Sequence, residues 1–192
     1  SSKNMLQEYG VEGDPIILVV ARFAIDKGLE FVIEAMPKIL TKIPNCKLLM
    51  IGDGSSRKYL EKRVKYLKLS EYVSMPGFVK FEMLPTYFNA CDVVVNYSIR
   101  QNGYDLTMVE AMACEKVVIA ADIGSNPTLI KHNVDGVLVD KAKPELLAEA
   151  IIHIFKNKRK KESIQKQARK KIEAYFTDEI MVNDTEKLFY DM

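Results

Sequence analysis

The sequence predicts an α/β fold: a Rossmann-like, doubly wound parallel sheet of about six strands, with helices on both faces and further helices at the C-terminal end. Three observations lead there. Short apolar runs recur along the chain, among them Lys47–Ile51, Val93–Asn96 and Val117–Ala121. Strands buried on both faces read this way, and both faces are covered when helices cross over between parallel strands. A segment with helical apolar spacing follows each run, and beyond Pro144 the strands stop.

In order, residues 16–21 form the first strand, and residues 28–40 a helix with Leu29, Val32, Ile33, Met36 and Ile39 on one face. Lys47–Ile51 is the second strand, ended by Gly52-Asp53-Gly54, and residues 57–67 the second helix. Residues 72–75 make a short strand ended by Pro76-Gly77, and residues 83–90 a short helix. Strand Val93–Asn96 turns through Gly103 into a helix that carries Glu110 and ends near Cys114. Strand Val117–Ala121, a helix near 128–132 and a strand at 136–139 complete the alternation. Residues 145–155, 163–175 and 179–190 are helical, and the basic run at 156–161 reads as a solvated connection rather than an anionic-membrane contact. Right-handed crossovers put any ligand at the carboxyl ends of the strands.

Composition narrows the function classes. A chain of 192 residues with 48% hydrophobic and 28% charged residues suits one soluble domain and excludes a disordered segment. A net charge of +2 is too small to argue for nucleic acid or membrane binding. Cys46, Cys91 and Cys114 have no metal-type spacing and read as reduced, buried thiols of a cytosolic protein. No apolar run reaches transmembrane length, Ser1 does not open a signal peptide, and a start without Met suggests a piece of something longer.

The stretch from Asn102 through Gly103, Tyr104, Asp105, Leu106 and Thr107 to Glu110 is the most informative. A strand, a Gly-bearing turn and a helix N-terminus aim unpaired N–H groups and the helix dipole at one spot, which suits an anion. Glu110, in the second helical turn, can accept from a sugar hydroxyl beside a bound phosphate, as a carboxylate does for ribose in dinucleotide sites. Arg22 follows the first strand and Lys27 precedes Gly28, so both project from the same sheet edge. Two cations there suit a diphosphate, in the ground state and as it leaves; the alternative is an ordinary surface pair with Asp26 and Glu30. Gly52-Asp53-Gly54 and Gly124-Ser125-Asn126-Pro127 are tight turns or ligand loops, and no dinucleotide glycine fingerprint follows. His132 and His153 have no nucleophile nearby in sequence and read as structural, and no paired acidic motif suggests a metal.

Taken in order, Ala21-Arg22-Phe23, Lys27-Gly28, the run 48–54, Pro76-Gly77-Phe78-Val79, Ala90-Cys91-Asp92-Val93, Glu110-Ala111-Met112-Ala113 and Gly136-Val137-Leu138-Val139 resemble the C-terminal, donor-binding half of a retaining glycosyltransferase of the GT-B fold, group 1. The resemblance implies that Arg22 and Lys27 hold a donor diphosphate without a metal or other cofactor. It also implies that Glu110 binds ribose, that the amides of Leu106 and Thr107 meet the phosphates, and that Gly77, Phe78 and Val79 lie against the base. It divides the chain into a nucleotide-sugar-binding domain over residues 1–176 and a terminal helix over 177–192 that crosses back to an N-terminal, acceptor-binding domain. Three positions depart from the family: Asn102 stands where a sugar-binding Glu is usual, Tyr104-Asp105 where Phe-Gly is common, and Thr128 where a Glu often follows the Pro. Asp105 either reaches the sugar in place of that Glu or, the favoured reading, caps its helix.

The expected function is therefore the donor-binding half of an enzyme that moves a hexose from a nucleoside-diphosphate sugar to a glycan, polysaccharide or lipid-linked acceptor. Asn102 and Asp105 would touch the sugar, and the fragment alone would be inactive. The whole enzyme would be cytoplasmic and could sit peripherally at the inner membrane surface. A nucleotide-binding partner subunit that has lost transfer is the competing class, motivated by Asn102 and Thr128. A dinucleotide oxidoreductase is a distant third.

Overall fold

The computed structural model describes residues 15–101 and 103–190. Six strands, β1 (Ile16–Val20), β2 (Lys47–Ile51), β3 (Val73–Gly77), β4 (Val93–Asn96), β5 (Val117–Ala121) and β6 (Val137–Val139), form one sheet in the order β3-β2-β1-β4-β5-β6. Every pairing is parallel. The helices are α1 (Leu29–Leu40), α2 (Arg57–Tyr66), α3 (Leu84–Ala90), α4 (Leu106–Ala113), α5 (Asn126–Leu129), α6 (Pro144–Lys156), α7 (Lys158–Tyr175) and α8 (Asp178–Tyr190). The Rossmann-like expectation holds.

Alternation within each central strand explains the unbroken apolar runs. Ile17 and Val19 of β1, Leu48 and Met50 of β2 and Val93 and Val95 of β4 face one core, built with α1, α2 and α6. Ile16, Leu18, Leu49 and Val94 face the other, closed by α3, α4 and α7. Each such side chain, fully buried, contributes about 1.5–3 kcal/mol, so neither face tolerates a charge. The chain winds outward from β1 to β3, returns to β4 beside β1, and winds the other way to β6. The reversal leaves a crevice between the carboxyl ends of β1 and β4.

Several boundaries differ from expectation, most by a single residue. β3 runs through Pro76 to Gly77 because it is an edge strand, where a missing N–H costs little. The helix expected near 128–132 is instead Asn126–Leu129, started by Pro127 in its first turn. The helix expected from 163 starts at Lys158, capped by the side chain of Asn157, which accepts from the Lys160 amide. The basic run is therefore mostly helix, and two of its lysines are tethered: Lys161 Nζ to Asp92 Oδ1 at 2.5 Å and Lys160 Nζ to the Asn133 carbonyl at 2.7 Å. The first helix begins one residue late, with Gly28 as its N-cap. After Phe176 the chain enters α8, which leaves Met181, Val182 and Phe189 exposed. Among the described residues no helix is long and apolar enough to cross a membrane.

Candidate functional site

The crevice is built from the loops that leave β1 and β4. The first is pinned to the loop after β2: the Ala21 amide bonds to the Ile51 carbonyl, the Phe23 amide to Asp53, and the Ser56 amide to Phe23. This close approach accounts for Gly52 and Gly54, since a Cβ on them would lie 1.9 Å from the Ala21 oxygen and 2.4 Å from the Phe23 oxygen. Gly52-Asp53-Gly54 is thus needed by the chain's own packing. A single 3-10 turn, Ile25–Lys27, then carries the chain into α1. The Ile99 amide bonds to the Asp26 carbonyl at 3.0 Å and joins the two loops across the crevice.

Lys27 and Asp105 meet here. Lys27 Nζ lies 2.8 Å from both carboxylate oxygens of Asp105, and Asn96 Nδ2, at the end of β4, donates to Oδ2 at 2.8 Å. Burial pushes the Asp105 carboxyl upward, but hydrogen bonds from Lys27, Asn96 and Ser98 together with the Lys27 charge outweigh it and hold the group below the usual carboxylate range. Asp105 occupies the N-cap position of α4 by backbone, yet its side chain makes no capping bond. The expected cap is replaced by the ion pair, because a cation and an amide donor are within reach and stabilise a carboxylate more strongly than a neutral N–H does. Arg22 has most of its side chain in solvent and approaches Asp26 at 3.7 Å, the surface pair that was the alternative reading for it. Lys27 pairs with Asp105 at 2.8 Å, a partner other than the nearby Asp26 and Glu30.

The start of α4 lies over the same edge. Leu106 and Thr107 lead the helix, where amides have no preceding turn to bond to, and the Leu106 side chain is exposed. Gly103 has open space where a Cβ would stand. Asn102 lies outside the described residues. Tyr104 turns toward the C-terminal end of the chain, its ring edge-on to Phe176 at 6.1 Å.

Glu110 sits one turn into α4, and its Oε2 is buried without a hydrogen-bond partner. Burial alone raises its pKa. It borders a cavity of about 310 Å³ whose other walls include Phe81, Leu84, Pro85, Phe88 and Cys114. A carboxylate on an apolar wall with a spare acceptor is a place for a ligand that brings hydroxyl donors. Gly77, Phe78 and Val79 leave the end of β3; Phe78 is 77% exposed, while Val79 packs on the α3–α4 core.

The remaining expectations sort by their contacts. Asn126 is buried and donates to the Ala121 carbonyl, so its loop is held internally. Thr128 Oγ1 donates to the Ser125 carbonyl. His132 Nδ1 accepts from the Leu138 amide at 3.1 Å, and His153 is exposed on α6. Cys46 and Cys91 are buried, and burial pushes the Cys91 thiol up to about 12. Among the described residues no group of three or more His, Cys, Asp and Glu could hold a metal ion. Sequence reasoning missed Asn96, Ser98 and the apolar cavity. The signal for Asn96 was present, as the one polar side chain closing the run Val93-Val94-Val95.

The Glycosyl transferases group 1 family model matches residues 2–171. An uncharacterized glycosyltransferase of Methanocaldococcus jannaschii is 34% identical over 179 residues, which are 92% of this chain and 45% of that protein. Among solved structures, HepE of Anabaena in complex with UDP and glucose superposes with a TM-score of 0.90 at 25% identity, over 98% of this chain and 52% of that one. The C-terminal domain of a glycosyl transferase group 1 family protein from Francisella tularensis superposes with a TM-score of 0.82 at 25% identity, over 93% of this chain and 94% of that one. The chain spans about half the length of the curated relatives it matches.

Proposed function

Because the chain belongs to the glycosyl transferases group 1 family, we propose that it is the donor-binding half of a retaining GT-B glycosyltransferase. The enzyme would work in the cytoplasm, moving a hexose from a nucleoside diphosphate to a glycan, polysaccharide or lipid-linked acceptor. The observation that carries the reading is the meeting of Lys27 with the start of α4 at the reversal of the sheet. A cation and a helix N-terminus there form an electrostatic trap for a diphosphate.

In this reading Lys27 and the more exposed Arg22 take the diphosphate and stabilise the charge that grows on it as the glycosidic bond breaks. The leading amides of α4, at Leu106 and Thr107, bond to phosphate oxygens, and open space at Gly103 admits them closely. Glu110 accepts from ribose hydroxyls where its carboxylate borders the apolar cavity, and the base lies toward Gly77, Phe78 and Val79. The sugar extends toward Asn102 and Asp105, and Tyr104 supports this loop from below through Phe176. No metal is required, since the protein's own cations neutralise the leaving group. The acceptor approaches from a facing N-terminal domain, and the apolar face of α8 at Met181 and Phe189 suits a return onto that domain. HepE was captured with UDP and glucose, which supports a nucleotide sugar as the ligand class.

The test is a thermal-shift and calorimetry panel with UDP, GDP and ADP in the presence of EDTA. One of the three is expected to saturate the chain, and Lys27→Ala to weaken it by roughly 1.5–3 kcal/mol, the scale of a hydrogen bond to a charged group. Binding that needs a divalent ion, or that ignores Lys27, would remove the assignment.

A further inference from the structure

We propose that Asp105 is a built-in competitor for the diphosphate site: its carboxylate occupies Lys27 in the free protein and must yield that cation when a donor binds. The inference rests on the nucleotide reading above and adds a residue that sets donor affinity. Both oxygens of Asp105 lie 2.8 Å from Lys27 Nζ, and Asn96 holds Oδ2 from the β4 side. Only 16% of the Lys27 side chain and 32% of the Asp105 side chain meet solvent, so water screens the pair incompletely. Asp105 also stands at the first position before α4, where the helix dipole favours an anion. Cation, amide donor and helix start thus already enclose one negative group.

A diphosphate arriving at the same cation meets an ionised carboxylate. Lys27 can exchange partners by a rotation of its flexible stem, and Asp105 is then left beside a second anion. Like charges at that distance oppose binding. Asp105 thereby keeps the lysine in place while the site is empty and lowers the affinity for nucleotide. A residue that only shaped the loop would do the reverse, since its loss would loosen Lys27 and weaken binding.

The experiment is a double-mutant cycle on the purified chain, read by calorimetry with whichever of UDP, GDP and ADP gives the largest thermal shift. Asp105→Asn keeps the shape and one acceptor oxygen for Lys27 and Asn96, removes the charge and turns the other oxygen into a donor. It is expected to tighten nucleotide binding by about tenfold while lowering the melting temperature of the free chain. The loss on Lys27→Ala should be larger in the Asp105→Asn background than in the wild type, because the lysine there has no internal partner to leave. Should Asp105→Asn fold poorly, Asp105→Ser retains a good N-cap residue and is expected to move affinity in the same direction. Unchanged or weaker binding in the neutral variants, with Lys27 still required in the wild type, overturns this role and leaves the nucleotide reading intact. Failure of all three nucleotides to bind the wild type removes both.

Discussion

A side-chain carbon on Gly28 would stand 2.3 Å from the carbonyl oxygen of Tyr97, so the loops leaving β1 and β4 touch backbone to backbone where the sheet reverses. Gly28 also has φ +59°, a left-handed conformation that costs an L-residue roughly 1–2 kcal/mol. Gly28→Ala therefore combines strain with a clash against main chain, which cannot swing aside as a flexible side chain can. The expected loss is about 2–4 kcal/mol by denaturant unfolding. Because Lys27 is the neighbouring residue, nucleotide binding should weaken even where the variant is fully folded. A variant within ~0.5 kcal/mol of wild type would show that the two loops separate easily and that their backbone contact does not hold the crevice together.

The fold was legible because strands buried on both faces cannot hide their composition: β1, β2, β4 and β5 are apolar at nearly every position. The edges were harder. β3 reads Val-Ser-Met-Pro-Gly and survives its proline only because no neighbour needs that N–H, a fact about strand order that local sequence does not carry. At the site, Arg22, Lys27 and the α4 start could be placed at one sheet edge from topology alone. The pairing of Lys27 with Asp105 could not, since 78 residues separate them and each has nearer candidates, Asp26 for the lysine and its own helix amides for the aspartate. The basic run that opens α7 misled for a related reason. Cations at a helix start oppose the dipole, and the distant partners Asp92 and Asn133 offset this for Lys161 and Lys160.

A further long-range tie, from Lys171, should carry much of the stability of α7. Lys171 Nζ bonds to the Leu129 carbonyl and lies 3.1 Å from Asp135 Oδ2, while the other oxygen of Asp135 accepts from the Lys131 amide at 2.7 Å. Asp135 is only 6% exposed. Lys171→Met would leave a buried carboxylate with one donor, and breaking a buried pair from one side costs roughly 3–5 kcal/mol. A loss toward the lower end is expected, since part of the lysine stem is solvated. Adding Asp135→Asn should recover a good share, because the stranded charge goes with it. Equal stability of the single and double variants would place the cost in lost packing instead.

The purified chain is expected to transfer no sugar even if it binds the donor well. Holding two reactants in register can supply ~7–11 kcal/mol of a barrier, and on the reading above the acceptor is held by a facing domain. An assay with sugar nucleotide and simple glycoside or lipid acceptors should give no glycosylated product. Product at a rate near that of a two-domain enzyme would mean that the chain carries its own acceptor site, and the division of labour would be wrong.

Glu110 offers a test in which stability and binding move in opposite directions. Its carboxyl has a raised pKa through burial, and Oε2 has no partner. The fold therefore favours the protonated form: the associated stability is fully present below the unfolded value of 4.5 and is lost as pH rises through the higher folded value. Wild type at neutral pH lacks that contribution, whereas glutamine, which never ionises, keeps it. Glu110→Gln should stabilise the free chain at pH 7 by about 0.5–1 kcal/mol, a figure reduced for the part of the group that water reaches. Below pH 4.5 the difference should vanish. Nucleotide binding should go the other way, because charge-assisted bonds from ribose hydroxyls are roughly twice as strong as neutral ones. Denaturant unfolding across pH and calorimetry on the same two proteins give both signs. A stabilised variant that binds nucleotide as well as wild type would leave Glu110 as a buried acid without a ligand, and its ribose role would have to be abandoned.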